Sequence, residues 1–334
     1  MNILGISCFY HDAAACLMKD GIVVAAAEEE RFTRKKHDIS FPINAVNYCL
    51  KEGNISINQI DYIGFYEKPL LKFERLLSQH LEMFPFSFWS FYRALPSWLN
   101  EKLRVPSIIR KKLRYNGDVL FIEHHLAHAA SAFLVSPFEE AAILTIDGVG
   151  EWATASYGYG KGNYITLLKE LRFPNSVGLL YSTVTAHLGF SVNNSEYKVM
   201  GLSPYGKPTY YDSFKKIVDV KEDGSIEFDM SYFDYHYKLT MPGKKFVGEF
   251  GPIRNPNEEV TQRHKDIAAS LQKITEEIIF KMLNHLYNET KMENLCIAGG
   301  VALNSVANGK ITKNTPFKNV WVQPAASDAG TSLG

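Results

Sequence analysis

The sequence predicts an α/β fold built from a duplicated sheet, with two lobes and a cleft between them. Residues 2–28 have the pattern of a buried strand, a polar break and a β-hairpin. The same plan recurs about 140 residues later, over residues 142–169, as expected for an internal duplication. We therefore expect lobes at residues 1–120 and 121–334, with both polar breaks facing the cleft. The alternative is two unrelated hairpins.

The composition is that of a globular protein large enough for two cores. Of the 334 residues, 46% are hydrophobic and 22% are charged. The formal net charge is zero and the pI is near 7.1. A chain without a basic excess is not expected to have nucleic acid or an anionic membrane as its main partner.

The cysteines and the N-terminus favour a cytoplasmic location. Four cysteines lie in or beside apolar segments without the spacing of a metal site, which is typical of reduced core thiols. The N-terminal residues form a strand pattern instead of a signal peptide. No apolar run reaches the roughly 18 residues that a membrane helix requires.

The first lobe alternates short apolar runs with polar breaks. Strands are predicted at residues 2–8, 13–18, 22–28 and 60–65, and an amphipathic helix at 42–50. Between the hairpin and this helix, the chain changes from acidic to basic side chains. Such a run is usually a solvated loop, but next to the cleft Arg31, Lys35 or Lys36 could meet a phosphate.

An aromatic helical insert is predicted within residues 70–115. Its aromatic side chains stand among basic residues and are Phe73, Phe84, Phe86, Phe88, Trp89, Phe91, Tyr92 and Trp98. We predict that this segment packs on the main body. An acceptor-binding lid and an interfacial patch are the alternatives.

Two histidines and two aspartates form a candidate metal set. His124 and His128 follow a strand at residues 119–122 and share one face of the helix predicted at 126–135. Asp147 and Asp328 each follow an apolar strand. A mixed nitrogen and oxygen set suits a divalent ion such as Fe, Mn or Zn. Taken separately, these residues would be ordinary core histidines and turn aspartates.

The remaining elements include a candidate anion site. Helices are predicted at residues 179–189 and 264–287, with an irregular peripheral section at 208–260 between them. Glu196 and Lys198 are candidate cleft residues. At 295–304 a strand runs through a Gly-Gly turn into a helix, where glycine amides can approach an anion. The GxGxxG fingerprint and the GxxxxGK[ST] phosphate loop are both absent.

The chain resembles the O-carbamoyltransferases of the NodU/CmcH type, which modify nodulation factors, cephems and aminoglycosides. The shared motifs are FYHDAAA at 9–15, AEEERFTRKKH at 27–37, EHHLAHAA at 123–130, EYKVMGL at 196–202, GGVALN at 299–304 and SDAG at 327–330. The resemblance implies a duplicated actin-like and sugar-kinase-like fold of the ribonuclease H type. It also implies transfer of a carbamoyl group from carbamoyl-adenylate to a hydroxyl of a small molecule or sugar.

The same resemblance implies residue roles. His124, His128, Asp147 and Asp328 match the family's iron site. His11 matches its catalytic histidine, and we expect Asp12 to orient that imidazole. The residues expected to bind the nucleotide are Lys36, Gly148, Lys198, Gly299, Gly300 and Asn304.

In that family a following domain makes the adenylate from carbamoyl phosphate and ATP. The sequence ends at Gly334, where a helix should open, so we expect a fragment without that domain, competent only for the transfer half-reaction. A homodimer is possible. Rival functions are a tRNA threonylcarbamoyl transferase, a sugar kinase or other actin-like ATPase, and a non-catalytic nucleotide-binding domain.

Overall fold

The first of two five-stranded sheets is formed by the N-terminal part of the chain. The computed structural model describes all residues, 1–334. The strands of this sheet are β1 (Asn2–Ser7), β2 (Ala14–Lys19), β3 (Ile22–Glu28), β4 (Tyr62–Phe65) and β5 (Asp118–Phe121). Their order is β3-β2-β1-β4-β5, with β1, β2 and β3 antiparallel and with β4 and β5 parallel to β1. The predicted strands are confirmed, with small shifts at their ends.

The second sheet repeats this topology. Its strands are β6 (Glu140–Ile146), β7 (Ala153–Lys161), β8 (Tyr164–Arg172), β11 (Asn294–Ala298) and β12 (Asn319–Val322), and a separate hairpin is formed by β9 (Val218–Val220) and β10 (Ile226–Phe228). The order is β12-β11-β6-β7-β8, again with one antiparallel meander and two parallel neighbours. Strand by strand, β6 therefore corresponds to β1 and β11 to β4.

Thirteen helices accompany the sheets. They are α1 (Glu30–Thr33), α2 (Ile43–Glu52), α3 (Pro69–Glu82), α4 (Phe88–Asn100), α5 (Val105–Leu113), α6 (His124–Phe133), α7 (Val177–His187), α8 (Glu196–Leu202), α9 (Tyr211–Ile217), α10 (Lys244–Phe250), α11 (Gln262–Thr290), α12 (Ser305–Asn308) and α13 (Ile311–Asn314). The predicted helices at 42–50, 179–189 and 264–287 correspond to α2, α7 and α11. Helix α6 begins two residues earlier than predicted, at His124.

Each sheet has its own hydrophobic core. The core of the first sheet draws only on residues between Leu4 and Tyr115. The larger core lies around α11 and draws on residues between Ala142 and Ala326. A third, smaller cluster packs α6 against the second sheet through Ala129, Phe133 and Ile143. Because a sheet and its helices bury apolar faces against each other, these clusters define two packed bodies, one around each sheet. All four cysteines, Cys8, Cys16, Cys49 and Cys296, are buried and unpaired.

A C-terminal segment provides one of the contacts between the two bodies. A 3-10 turn at Asp328–Ser332 follows β12 and packs against β1 of the first sheet. At Gly5 of β1, an added Cβ would lie 1.8 Å from the backbone oxygen of Ser332, so only glycine permits this approach. The turn therefore carries Asp328 from the second body to the first.

The expectation for residues 208–260 is wrong, and the expectation that the aromatic insert packs on the main body holds for only one of its faces. Residues 208–260 are not a peripheral section, because Phe214, Phe246 and Phe250 are fully buried in the core around α11. In the aromatic insert, which forms α3, α4 and α5, Trp98 is buried and Phe73 and Phe91 are half-buried. The aromatic residues that are exposed instead are Phe84, Phe86, Phe88, Trp89 and Tyr92. The aromatic content of the segment did not reveal which helix faces the body would cover.

No helix in the structure combines the length and the apolar character needed to cross a lipid bilayer.

Candidate active site

Four side chains that lie far apart in the sequence meet at one point. His124 and His128 belong to α6, Asp147 directly follows β6, and Asp328 begins the C-terminal 3-10 turn. One potential ligand atom from each residue lies within 4.8 Å of the others, and all four residues are buried. The structure therefore brings the predicted metal set together.

The individual distances define a compact nitrogen and oxygen cluster. The Nε2 atoms of His124 and His128 are 3.1 Å apart, and Oδ2 of Asp147 lies 3.1 Å from Nε2 of His124. Oδ1 of Asp328 lies 3.6 Å from both Nε2 atoms and has no hydrogen-bond partner. A buried carboxylate oxygen without a donor is costly unless a cation is present. These residues fit a divalent ion, whose identity stays a prediction.

The position of α6 is set by a carboxylate outside the metal set. The buried side chain of Glu151 accepts the backbone N–H of His124, at 3.1 and 3.2 Å to its two oxygens. It also accepts the N–H of Lys68, 2.7 Å away, which precedes α3. Free N–H groups at a helix N-terminus favour an anion. Glu151 therefore joins the starts of two helices at the site.

The imidazoles are oriented mainly by packing. Nδ1 of His124 and Nδ1 of His128 have no hydrogen-bond partner in the protein. The ring of Tyr66 meets the His124 ring edge-on, with 5.6 Å between centroids. A Cβ at Gly150 would lie 2.9 Å from Cδ2 of His124, so glycine is needed for the Asp147–Gly150 loop to pass this ring. The loop and Tyr66 together restrict the ring.

The charges of the cluster stabilise one another. Burial acts to raise the pKa of Asp328, but the charges of His11 and His124 outweigh it and lower the pKa. The same balance lowers the pKa of Asp147, where the hydrogen bond from His124 contributes most against burial. Both carboxyl groups are therefore ionised at neutral pH, as metal ligands must be.

The polar break between β1 and β2 brings His11 to the cluster. Nε2 of His11 lies 3.7 Å from Oδ2 of Asp328, and Nδ1 lies 3.0 Å from Oδ2 of Asp12. Ser327 donates its hydroxyl to the same Asp12 oxygen at 3.0 Å. Asp12 has a φ of +54°, in the left-handed region that few non-glycine residues adopt. The predicted pairing of His11 with Asp12 is present.

His11 is more basic in this arrangement than an ordinary histidine. Burial acts to lower its pKa, but the charges of Asp328 and Asp12 overcome this and raise the pKa from 6.5 to about 9. Without a cation in the cluster, His11 is therefore an imidazolium at neutral pH. This differs from the pKa of about 6.5 expected for an isolated catalytic base.

The raised pKa predicts a pH dependence of stability for the metal-free chain. A histidine whose folded pKa exceeds its unfolded value stabilises the fold below pH 6.5, and this contribution is lost as the pH rises through about 9. The full shift corresponds to about 3 kcal/mol. Urea unfolding after chelation should show the free energy of unfolding falling by up to this amount between these pH values.

The matched control for this measurement is His11→Gln, which cannot titrate. Its stability curve is expected to be flatter than that of the wild type over the same pH range. Identical slopes for the two proteins would show that His11 is not the group responsible.

A cavity of about 220 Å³ opens beside the cluster and is lined by both lobes. Of the predicted nucleotide-binding residues, Gly148, Gly300 and Asn304 line it. Gly299, Lys36 and Lys198 do not, although both lysine Nζ atoms lie near the ring of Tyr197, a lining residue, at 5.0 and 5.9 Å from its centroid. The two cations therefore stand at the margin of the cavity.

The expectation that the Gly-Gly amides are free to bind an anion is wrong in this arrangement. Gly299 donates its N–H to the oxygen of Ala326 at 2.8 Å, and Gly300 donates to Oδ1 of Asp147 at 3.0 Å. The Gly299 φ of +98° lets this turn approach β6, where an added Cβ would lie 2.2 Å from the oxygen of Ile146. The glycines thus position Asp147.

Asn304 is also engaged within the protein. Its side chain exchanges two hydrogen bonds with Gln272, each of 3.0 Å, and accepts the N–H of Ala307 at the start of α12. It lines the cavity as a fixed polar group, whose oxygen accepts two hydrogen bonds and whose NH2 group uses one of its two donors.

Some residues of the site were not predicted. His37 contacts Asp12 through Nδ1, and its Nε2 lies 3.1 Å from Oδ1 of Asn194, so it bridges the two lobes. Tyr10 packs on His11 with 4.6 Å between ring centroids. Glu151 ends the glycine-containing loop that begins at Asp147. An acidic residue at this position was the sequence signal from which its role at the site could have been predicted.

Comparison with known proteins identifies the family. The sequence profile described as "Carbamoyltransferase N-terminus" matches residues 2–334, which is nearly the whole chain. The chain belongs to this carbamoyltransferase family. The predicted resemblance is thereby confirmed, and a transferase is the class of enzyme that the family supports.

Two curated relatives of this carbamoyltransferase domain illustrate the range of similarity. An uncharacterized protein of Synechocystis sp., sll1178, is 53% identical over 343 residues, covering 100% of this chain and 56% of the relative. Nodulation protein NolNO of Sinorhizobium fredii is 36% identical over 333 residues, covering 98% of this chain and 46% of the relative. The domain spans about half the length of these relatives.

The fold of the carbamoyltransferase domain also has solved counterparts. Component A of the (R)-2-hydroxyglutaryl-CoA dehydratase of Acidaminococcus fermentans superposes with a TM-score of 0.51 at 12% identity, covering 99% of this chain and 95% of that one. With the two sheets of identical topology, this likeness confirms the predicted α/β actin-like and sugar-kinase-like fold.

Proposed function

We propose that this domain transfers a carbamoyl group from carbamoyl-adenylate to a hydroxyl group of a small molecule or sugar. The observation that carries the proposal is the position of His11, 3.7 Å from Asp328 of the four-residue cluster and exposed to a cavity between the lobes. Family membership supports carbamoyl transfer, and the cavity supports a donor bound beside this histidine.

In the proposed reaction, the acceptor oxygen attacks the carbamoyl carbon and the bond from that carbon to the adenylate phosphate breaks. AMP leaves, and the hydroxyl proton passes to Nε2 of His11. In the neutral imidazole, Nδ1 of His11 donates to Asp12 and Nε2 is the unprotonated nitrogen that acts as the base. Ser327 and His37 hold Asp12 from two further sides, so the carboxylate cannot turn away from His11.

The cluster would hold a divalent ion, for which the family resemblance suggests iron(II). When bound, the ion would supply Lewis-acid polarisation and would offset the carboxylate charges that keep His11 protonated. On the protein side, Asp328 contributes most to the raised pKa of His11, followed by Asp12 and then by Asp147.

Binding of the adenylate is supported by the apolar walls of the cavity and by two lysines at its margin. Val149, Leu179 and Met200 give it apolar walls suited to a flat base. Lys36 and Lys198, at its margin beside Tyr197, are the cations that would meet the phosphate. The Gly-Gly turn contributes through Asp147 and not through free amides.

The test is a single-turnover assay with carbamoyl-adenylate labelled in the carbamoyl group. The chain, loaded with iron(II) under anaerobic conditions, is expected to move the label to hydroxylated acceptors and release AMP stoichiometrically. Transfer from threonylcarbamoyl-adenylate to tRNA, with no transfer from carbamoyl-adenylate, would instead support the tRNA-modifying rival. Binding of the adenylate without transfer to any acceptor would favour a non-catalytic nucleotide-binding domain.

A further inference from the structure

A buried arginine of the aromatic helical insert contacts the loop that carries Asp147. Arg75 lies in α3 and is only 9% exposed. Its Nη1 atom donates a hydrogen bond of 2.9 Å to the backbone oxygen of Gly150, and its guanidinium carbon lies 5.4 Å from the centroid of the Phe173 ring. The contact therefore joins a helix of the first lobe to the loop between β6 and β7 of the second.

Arg75 is an unusual residue to bury, because no carboxylate pairs with it. Lys72, one turn earlier on α3, forms a buried salt bridge with Glu67, whereas Arg75 takes part in no salt bridge and its Nε atom has no hydrogen-bond partner. Burial lowers the pKa of Arg75 from 12.5 to about 10, so the side chain is still a cation at neutral pH. Burying an unpaired charge is costly, which favours a functional role for the contact with Gly150.

Gly150 is the point at which this loop meets an imidazole of the four-residue cluster. A Cβ added at Gly150 would lie 2.9 Å from Cδ2 of His124, so the backbone is in close contact with that ring. Gly150 donates its N–H to the oxygen of Ala153 at 2.9 Å, and Asp147 donates its N–H to the oxygen of Thr154 at the same distance. Because these two bonds close one short loop, a displacement of Gly150 would affect both His124 and Asp147.

The next residue of the loop is held from the same face of α3. Glu151 accepts the N–H of Lys68 at 2.7 Å, and Nζ of Lys68 lies 2.8 Å from Oε1 of Glu123, which directly precedes α6. Lys68 and Arg75 are seven residues apart, or about two helical turns, and so share one side of the helix. One side of α3 therefore binds two adjacent loop residues, Gly150 and Glu151.

We propose that Arg75 is a positioning residue, which holds the loop at residues 147–151 and thereby places His124 and Asp147 in the four-residue cluster. The hydrogen bond from Arg75 fixes the oxygen of Gly150, and the backbone of Gly150 restricts the His124 ring. Asp147 begins the same loop and supplies its carboxylate. The consequence for metal binding rests on the proposed function, whereas the contact with the loop does not.

Hydrogen exchange in the chelated chain and binding of cobalt(II) test the two parts of this role separately. Arg75→Met removes the donor but keeps much of the side-chain length. The amides of Asp147 and Gly150 should exchange at least about tenfold faster in this variant, because their loop has lost a charged hydrogen bond.

Competition with a chelator should show that Arg75→Met binds cobalt(II) about 10- to 100-fold more weakly than the wild type. The visible absorption spectrum of the cobalt(II) protein should also change, because it reports the arrangement of the ligands. Arg75→Lys keeps a cationic donor and should recover part of the affinity and of the loop protection. If Arg75→Met does not fold, Arg75→Lys provides the same comparison with smaller effects.

The matched control is Arg254→Met. Arg254 is likewise buried, at 5% exposure, and its side chain donates to the backbone oxygens of Leu188, Asn255, Pro256 and Glu258, none of which belongs to the loop or to the cluster. This variant should lower the melting temperature but leave loop exchange and cobalt(II) affinity unchanged.

Three results would overturn the proposal. They are unchanged loop exchange in folded Arg75→Met, a wild-type cobalt(II) affinity and spectrum in that variant, and equal changes in Arg254→Met. Faster loop exchange in Arg75→Met, with no cobalt(II) binding even by the wild type, would refute the metal centre of the proposed function and support the positioning of the loop by Arg75.

Discussion

Replacing His128 with alanine is expected to remove most of the metal from the purified chain. His128 is fully buried and contributes one of only four donor atoms within 4.8 Å of one another. Its loss leaves three ligands and opens a space in the coordination shell. Because loss of a residue that merely supports a ligand lowers metal affinity by about 10- to 100-fold, loss of the ligand itself should cost at least as much. Plasma mass spectrometry of the protein gives the metal per chain.

His125→Gln provides the matched control for this measurement. His125 is the neighbouring buried histidine on α6, but its Nδ1 pairs with the hydroxyl of Thr145 at 2.7 Å, and it lies outside the four-residue cluster. This variant should keep its metal if it folds, which its melting temperature would show. Equal metal content in wild type and His128→Ala would show that the four-residue cluster does not hold the metal.

Replacing His11 with glutamine is expected to lower carbamoyl transfer by about 10²- to 10⁴-fold, the range typical of a lost general base. The reason is geometric, since Nε2 of His11 is the imidazole nitrogen left free after Asp12 engages Nδ1. Affinity for the adenylate should change little, because His11 contributes one of many lining side chains of the cavity. Single-turnover rates and nucleotide titration measure the two quantities separately.

Two further readouts separate loss of the base from damage to the neighbouring cluster. Metal content must be unchanged in His11→Gln, because His11 lies 3.7 Å from Asp328 and could disturb it. Added imidazole should restore part of the activity of His11→Gly by filling the vacated space. Wild-type rates in the metal-loaded His11→Gln variant would contradict the role of this residue.

Local patterns in the sequence were sufficient to predict the strands and helices and to predict most of the four-residue cluster. Strand β1, the hairpin β2–β3 and their repeat in β6, β7 and β8 follow from apolar runs and turn residues, which act over short distances. His124 and His128 share a face because they are four residues apart in one helix. Asp147 is placed by the end of β6.

Solvent exposure and long-range contacts could not be predicted from these local patterns. Residues 208–260 were assigned to the wrong environment, and the sequence did not show which face of the aromatic helical insert would be covered, because exposure depends on which other segment covers a surface. Phe214 and Phe250 are buried by packing with the elements around α11, whereas Trp89 and Phe86 meet no such element. Composition alone cannot distinguish these two cases.

The sequence by itself determined the duplicated α/β architecture, the pair of imidazoles on one helix and the family to which the chain belongs. Only the tertiary structure decided that Asp328 reaches His11, that Glu151 joins the starts of α3 and α6, and that the Gly299 and Gly300 amides are engaged. The physical reason is that periodicity reports interactions within a few residues. The turn at Asp328–Ser332, in contrast, is placed against β1 by close packing at Gly5, more than three hundred residues away along the chain.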